Sequence, residues 1–154
     1  MQKELARFLL DANKAGYASG NDNAWKKEPD HSKTITFTSG DWVMNDNFFG
    51  GEPYGGREIV FLRGNPYWIM VYYGEVDNAH DPKQIYPFLQ KALSQPPEDM
   101  PLRGPESFQD GKYTYKNTFR GNLDQFSGEE VIFEGDTQIY RASYLGGLVD
   151  QRAE

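Results

Sequence analysis

Two glutamates, Glu58 and Glu130, are the residues of this sequence best suited to acid–base chemistry, because they occupy matching places at the heads of two similar strand patterns. If those patterns meet about a pseudo-two-fold axis, the two carboxyl groups converge, and their repulsion raises the pKa of one of them into a useful range. Such a pair supports a hydrolase or an isomerase, with Tyr72 or Tyr144 as proton donor. The competing interpretation is that both glutamates are exposed strand ends.

The other candidate residues suit ligand binding better than catalysis. Arg103 lies among prolines in the stretch LRGP, where its guanidinium could clamp a carboxylate or a phosphate, or pair with a neighbouring acid. Aromatic side chains offer flat apolar surfaces to a ligand, although most aromatic residues of a domain fill its core. The predicted ligand-binding residues are Trp42, Trp68, Tyr72, Arg103, Tyr113 and Tyr144.

Several kinds of catalytic and metal site lack support in the sequence. It has no cysteine, and its two histidines, His31 and His80, have neither metal-ligand spacing nor a neighbouring motif that would complete a triad. The stretch GGEPYGG (50–56) lacks the strand-to-helix context of a dinucleotide-binding loop. We therefore predict no metal and no cofactor, and between an enzyme and a protein without catalysis we favour the second.

Charge and hydropathy argue against two classes of partner. The 154 residues carry a formal charge of −7, and no segment gathers enough Lys and Arg to neutralise a phosphate backbone, so we predict no direct nucleic-acid binding. The longest apolar run, 67–73, falls far short of the ~20 residues that cross a bilayer. Charged residues near the start interrupt any secretory signal, which favours a cytoplasmic location. They are Lys3, Glu4, Arg7 and Asp11.

Apolar residues at helical spacing predict two helices, and aromatic or β-branched runs between turn residues predict strands. The first helix covers residues 2–15 and stops at Gly16. The second begins with Asp81 as its cap, although Pro87 allows a later start near Tyr86. Strands are predicted at 34–38, 41–48, 57–63, 67–73, 112–120, 129–134 and 138–144.

The strongest pattern in the sequence is its repetition after about 72 residues. The segment GREIVFLRGNPYWIMVYYGEV (56–76) can be laid over GEEVIFEGDTQIYRASYLGGLV (128–149). Upstream, GDWVMNDNFFG (40–50) can be laid over GKYTYKNTFRG (111–121). The alternative is that two unrelated hairpins share similar patterning.

We predict from this repeat a single α+β domain over residues 1–154. An α-β-β-β unit at about 2–77 is duplicated at about 81–150. The strands form one or more antiparallel sheets, and the two main helices pack on one side.

Two hairpin turns predict which side chains share a face. A turn at Gly64-Asn65 places Ile59 opposite Met70 and Phe61 opposite Trp68. A turn at Gly135-Asp136 places Phe133 opposite Gln138 and Val131 opposite Tyr140 in the same way. The other face of the first hairpin is apolar too and must be covered by a helix, a loop, a partner chain or a ligand. It carries Val60, Leu62, Tyr67, Ile69 and Val71.

Four segments together resemble an uncharacterised bacterial domain family. They are ELARFLLDANKAGYASG (4–20), GDWVMNDNFFGGEPYGGREIVFLRGNPYWIMVYYGEV (40–76), LRGPESF (102–108) and YRASYLGGLVD (140–150). The family looks like one whose members stand alone or follow a helix-turn-helix module in XRE-type regulators. The resemblance implies a fold and a regulatory context, and it implies no activity or catalytic residue.

Three functions are compatible with these features. We favour a cytoplasmic binding or sensory module that holds a small molecule or a peptide between the two halves. The aperiodic segments 16–33 and 94–111 are the candidate rims or lids of that site. The alternatives are the carboxylate-based hydrolase or isomerase and a protein-interaction module that uses the apolar strands 59–73, and a homodimer is left open.

Overall fold

The structure is a computed structural model that describes residues 1–17 and 25–152. These described residues form two helices, α1 (Gln2–Ala15) and α2 (Pro82–Leu93). Residues 18–24, in the middle of the predicted loop 16–33, lie outside the described residues. The strands are β1 (Lys26–Lys27), β2 (Lys33–Ser39), β3 (Trp42–Phe49), β4 (Tyr54–Leu62), β5 (Asn65–Val76), β6 (Ser107–Asp110), β7 (Tyr113–Asn122), β8 (Gln125–Glu134) and β9 (Thr137–Leu148).

Both helices form where the sequence predicts them. The backbone N–H of Gly16 ends α1 by donating to the carbonyl of Ala12. The Asp81 carboxylate accepts the N–H of Lys83 at 3.0 Å and so caps α2. The alternative start of α2 near Tyr86 is wrong, because a proline at position 87 forfeits only one hydrogen bond to the preceding turn while the apolar stripe of the helix stays buried.

All the strands belong to one antiparallel sheet with the order β1-β2-β3-β4-β5-β9-β8-β7-β6. The strands before α2, β1 to β5, therefore form one lateral half of the sheet, and the strands after α2, β6 to β9, form the other half. The two halves join where β5 pairs with β9. Both helices pack on the same face, because α1 shares a core with Met70 of β5 and α2 shares a core with Tyr140 and Ala142 of β9. The α+β class is confirmed, and the short strands β1 and β6 were not predicted.

The register of the first hairpin differs from the predicted one. The turn is Arg63-Gly64, one residue earlier than expected, and both residues have positive φ, 51° and 82°. A bulge between Val60 and Phe61 follows, so that Val60 pairs with Trp68. Ile59 pairs with Ile69 and Phe61 with Pro66, so the predicted pairs of Ile59 with Met70 and of Phe61 with Trp68 are wrong. A shift of one residue turns a side chain to the other face of the sheet, and both residues lie on the face opposite to that of their predicted partners.

The second hairpin was predicted half correctly. Its turn is Gly135-Asp136, and Phe133 pairs with Gln138 as expected. A bulge between Ile132 and Phe133 then shifts the register, so that Tyr140 pairs with Ile132 rather than with Val131.

The correct register defines two faces with different environments. The helix-covered face carries Val60, Trp68 and the acid Glu58, which pairs with Met70. The opposite face, here called the outer face, carries Ile59, Phe61, Ile69, Val71, Tyr73 and Leu145. Val71 is 38% exposed, and Tyr73 and Leu145 are each 58% exposed. The predicted second apolar face is therefore divided: Val60 is fully buried in the core beneath α1, whereas Ile69 and Val71 lie on the outer face, which neither described helix covers.

Candidate functional site

A pocket of about 280 Å³ opens between the two helices and the first half of the sheet. The helices contribute Asn13 of α1 and Gln90 of α2, and the predicted rim segments contribute Lys33 and Leu102. Six of the nineteen residues that line it are aromatic. The aromatic lining residues are Tyr17, Trp25, Phe48, Tyr54, Tyr72 and Tyr86.

Two buried acids, Asp46 of β3 and Glu58 of β4, line this pocket and are here called the carboxyl pair. They are direct cross-strand partners on the helix-covered face, a relation that brings Cβ atoms to about 4.5–5.5 Å. Each residue is only 7% exposed. The Oε2 atom of Glu58 is buried without a hydrogen-bond partner among the described residues. A buried polar atom in that state needs an explanation, and a ligand is one.

Tyr72 holds the other member of the pair by donating its hydroxyl hydrogen to Oδ1 of Asp46. Its ring has room there because the opposite residue on β4 is Gly56. A Cβ at that position would lie 2.6 Å from Cβ of Phe48 and 2.7 Å from the hydroxyl of Tyr72. The glycine is therefore required for the tyrosine to reach Asp46.

Burial and proximity shift the protonation of the carboxyl pair toward the neutral form. Burial, and next the neighbouring Asp46 carboxylate, raise the pKa of Glu58 from 4.5 to about 8. Burial also raises the pKa of Asp46 to about 6, against the opposing effects of the Tyr72 hydrogen bond and of Arg103. Near pH 7 one proton therefore resides on Glu58 while Asp46 is mostly ionised.

Arg103 lies on the pocket wall, but its charge is matched elsewhere. Its Nε donates to Oε1 of Glu130 at 2.6 Å, and both side chains are nearly or fully buried. The guanidinium also lies 5.4 Å from the ring centre of Tyr72 and donates to the hydroxyl of Tyr54 at 3.4 Å. The second carboxylate oxygen of Glu130 accepts from Tyr115 at 2.5 Å. The predicted alternative, in which Arg103 pairs with a nearby acid of its own loop, is replaced by this long-range pair.

Three of the predicted site residues line the pocket: Glu58, Tyr72 and Arg103. The remaining predicted residues have other partners. Trp42 stacks on Phe8 with ring centres 5.7 Å apart, and Tyr113 packs on Phe88 at 5.3 Å.

The other three predicted residues are tied into the core by hydrogen bonds. Trp68 donates its indole N–H to the carbonyl of Leu123 at 3.0 Å, and Tyr144 donates to Oδ1 of Asn117 at 2.6 Å. Glu130 is held by Arg103 and Tyr115 as described above. The acid that faces Glu58 across the strands is therefore Asp46, which was not among the candidate residues.

The missing residue could have been found from strand periodicity. In WVMNDNFF, Asp46 lies between Met44 and Phe48 on one face, and an acid in such an apolar series is unusual. It was missed because no pairing between the strand of Asp46 and the strand of Glu58 was predicted. Two more pocket residues, Tyr17 and Trp25, come from an aperiodic segment. The spacing of residues in such a segment does not predict where their side chains point.

Two further classes of site receive no support from the described residues. Within 1–17 and 25–152, no group of three or more His, Cys, Asp or Glu side chains is arranged to hold a metal ion. Neither described helix combines the length and the apolar character that spanning a bilayer requires.

Comparison with known proteins decides the family. A model of a domain of unknown function, DUF5680, matches residues 46–149. This chain belongs to the DUF5680 family. No curated protein and no solved structure matches it. The DUF5680 match begins at Asp46 and includes Glu58, Tyr72 and Arg103, whereas α1 and the other pocket residues before Asp46 lie outside it.

Proposed function

We propose that the protein is a binding or sensory module whose ligand is a small molecule held in the pocket beside the carboxyl pair. The observation that carries this proposal is the buried, unpartnered Oε2 of Glu58 in an open, aromatic-walled cavity. Ligand sites combine a mostly apolar wall with a few placed polar groups, and this pocket has that composition. Its volume of about 280 Å³ favours a compact molecule over a peptide.

We further propose that the domain arose by duplication. Its two hairpins have bulges at equivalent places, Val60/Phe61 and Ile132/Phe133. The equivalent tyrosines Tyr72 and Tyr144 each donate to a side chain on the second strand away, Asp46 of β3 and Asn117 of β7. A cytoplasmic location and a bacterial regulatory context, in which such a domain follows a helix-turn-helix module, belong to the same proposal.

A metabolite screen by thermal shift tests the binding function. A ligand at 100 times its dissociation constant adds roughly 2.7 kcal/mol to the free energy of unfolding, which raises the melting temperature measurably. The response should disappear in Gly51→Phe, since a Cβ at this pocket-lining position meets no described atom within 4 Å and a ring there takes up the open space. Gly51→Ala is the matched control and should keep the response. The proposal is contradicted if no compound of a broad library raises the melting temperature of the unmodified protein or of Gly51→Ala.

A second candidate function is a carboxylate-based hydrolase or isomerase. The raised pKa values of Glu58 and Asp46 favour it, because a protonated acid beside an ionised one can act as proton donor and acceptor in the same site. Glu130, the partner first considered, has both oxygens engaged by Arg103 and Tyr115. Turnover of any ester, glycoside or carbonyl substrate that Glu58→Gln abolishes would establish this function, and turnover retained in that variant would contradict it.

A third candidate is a protein-interaction surface on the outer face, including a homodimer. The exposure of Tyr73 and Leu145 favours it. Sedimentation at high concentration tests it, with Tyr73→Glu expected to dissociate any dimer. If the unmodified protein sediments as a monomer at high concentration, the homodimer hypothesis is wrong.

A further inference from the structure

We infer that the ligand of this pocket is a small organic cation, an amine with an apolar or aromatic body, whose ammonium group hydrogen-bonds Oε2 of Glu58. The inference rests on the proposed binding function and adds the chemical class of the ligand. It depends on three features of the described residues: the balance of charge around the cavity, the unpartnered acceptor, and the aromatic wall.

The balance of buried charge beside the pocket is negative. Three buried acids, Asp46, Glu58 and Glu130, face one buried cation, Arg103. Glu130 engages that cation directly at 2.6 Å, so the carboxyl pair has no cation of its own. A ligand that brings a positive charge restores the balance, whereas an anion would add to the repulsion.

The other titratable groups that line the pocket are one half-buried cation, Lys33, and four phenols. Lys33, at the rim, lies over the Trp25 ring with its Nζ 5.0 Å from the ring centre. The phenols are neutral, because burial raises the pKa of each of them above the usual value for tyrosine. The phenols are Tyr17, Tyr54, Tyr72 and Tyr86.

The unpartnered oxygen specifies what the ligand must donate. Oε2 of Glu58 is an acceptor when the acid is ionised, and an ammonium N–H makes a short, charge-assisted bond to such an atom. Asp46 has one oxygen engaged by Tyr72, which keeps it oriented beside Glu58. A bare metal ion is a poorer fit, since no group of three or more acidic or histidine ligands is present among the described residues.

The wall of the pocket suits the rest of such a molecule. Aromatic rings attract a cation through their faces and also cover apolar carbon, so one wall serves both parts of an alkylamine or arylamine. Trp25 meets Phe48 edge-on at 5.4 Å between ring centres, and Tyr54 meets Tyr86 edge-on at 6.0 Å. These contacts hold four rings of the pocket wall in place.

Binding of this kind is linked to a proton. Glu58 holds a proton near pH 7, and an ammonium group must displace it to form the ion pair. Affinity should therefore rise up to about tenfold for each pH unit from pH 6 toward the pKa of about 8 and then level off. An ordinary alkylamine stays charged over that window, as lysine does with its pKa of about 10.4.

Isothermal titration calorimetry with matched probes tests the inference. The probes are isoamylamine, 2-phenylethylamine and tryptamine, each compared with the alcohol that has a hydroxyl in place of the amine. We expect at least one amine to bind more tightly than its alcohol by about 30-fold or more, which is the usual penalty for an unpaired buried charge. Titration in two buffers of different ionisation enthalpy should show a proton released on binding at pH 7.

Two variants separate an ion pair from a structural effect. In Glu58→Gln the amine affinity should fall by about 30-fold or more, while any alcohol affinity is kept. The pH dependence of amine binding and the proton release should both disappear. Glu129→Gln, which removes the same charge from an exposed position on β8, should behave like the unmodified protein. The unfolding transition of each variant without ligand shows that it folds.

The outcomes distinguish this inference from the proposed function. If no amine binds but neutral or anionic metabolites shift the melting temperature and Gly51→Phe removes that shift, the binding function stands and the cationic ligand is wrong. Equal affinity for amine and alcohol overturns the inference in the same way. If neither these probes nor the metabolite library bind, both proposals fail.

Discussion

The two halves of the sheet place a glutamate at equivalent strand positions and treat it differently. In the first half, Glu58 lies across from Asp46, and one of its oxygens has no described partner. In the second half, Glu130 lies across from Asn117 and both its oxygens are bonded. Both glutamates are buried, so the difference lies in their partners and not in their exposure to solvent.

The second half is satisfied because an amide replaces an acid and a loop supplies a cation. The Asn117 side chain donates to the carbonyl of Gly104 at 3.0 Å and accepts from Tyr144 at 2.6 Å. Arg103, the neighbour of Gly104, completes the shell of Glu130. The same strand positions therefore build a structural network in one half and a site with an open acceptor in the other. Two residues decide the difference: Asp46, which stands where the second half has Asn117, and Arg103, which forms its salt bridge with Glu130.

Removal of Arg103 should have the largest effect on this contrast. In Arg103→Met, Glu130 remains buried without its cation, which costs about 3–5 kcal/mol of unfolding free energy. Urea denaturation at pH 7 measures the loss. The double variant with Glu130→Gln should recover most of it, and a double variant no more stable than the single one would show that the arginine acts through packing alone.

A second change makes the second half resemble the first. Asn117→Asp replaces an amide that donates to Gly104 with an acid that faces Glu130, and we expect a loss of about 2 kcal/mol at pH 8. The loss should shrink at pH 5, where the new carboxyl takes up a proton. Asn122→Asp, at the exposed end of the same strand, is the control. A penalty independent of pH would mean that repulsion contributes little.

Glu58 also gives stability a pH dependence, which is smaller for each pH unit than either loss above. Its folded pKa of about 8 lies above the usual 4.5, so the folded protein holds a proton that the unfolded chain releases. Stability should therefore fall by up to about 1.4 kcal/mol for each pH unit between these values, and the fall should end above pH 8. Glu58→Gln should remove the part between pH 6 and pH 8, where Asp46 contributes little. Melting temperatures across this range measure it, and parallel curves for the two proteins would contradict the shift.

Much of the fold followed from periodicity and turn chemistry, and the site followed only in part. The apolar stripe of α1 and the Asp81 cap of α2 determine helices within the chain itself, and both were predicted. Strand pairing failed at Arg63-Gly64, because either of two neighbouring dipeptides could make the turn and a bulge then changed the register. Since one residue decides the face, this error gave Ile59 and Phe61 the wrong partners. Asp46 was missed because the pairing of β3 with β4 was not predicted.

Arg103 illustrates a different limit. Its chemistry was predicted from its charge and its rigid loop, but its partner Glu130 lies 27 positions away. A local pattern cannot reveal such a contact, which exists only once β8 has taken its place in the sheet.

The seam between β5 and β9 has a consequence for how the chain folds. All other strand neighbours in the sheet are close along the chain, whereas this pairing joins Trp68 to Leu148 and Val76 to Tyr140. Closing so large a loop costs more chain entropy than forming a hairpin, so we expect the hairpins to form early and the seam to close late. Pulse-labelled hydrogen exchange would then show amides of the β5–β9 ladder protected after those of β7 and β8.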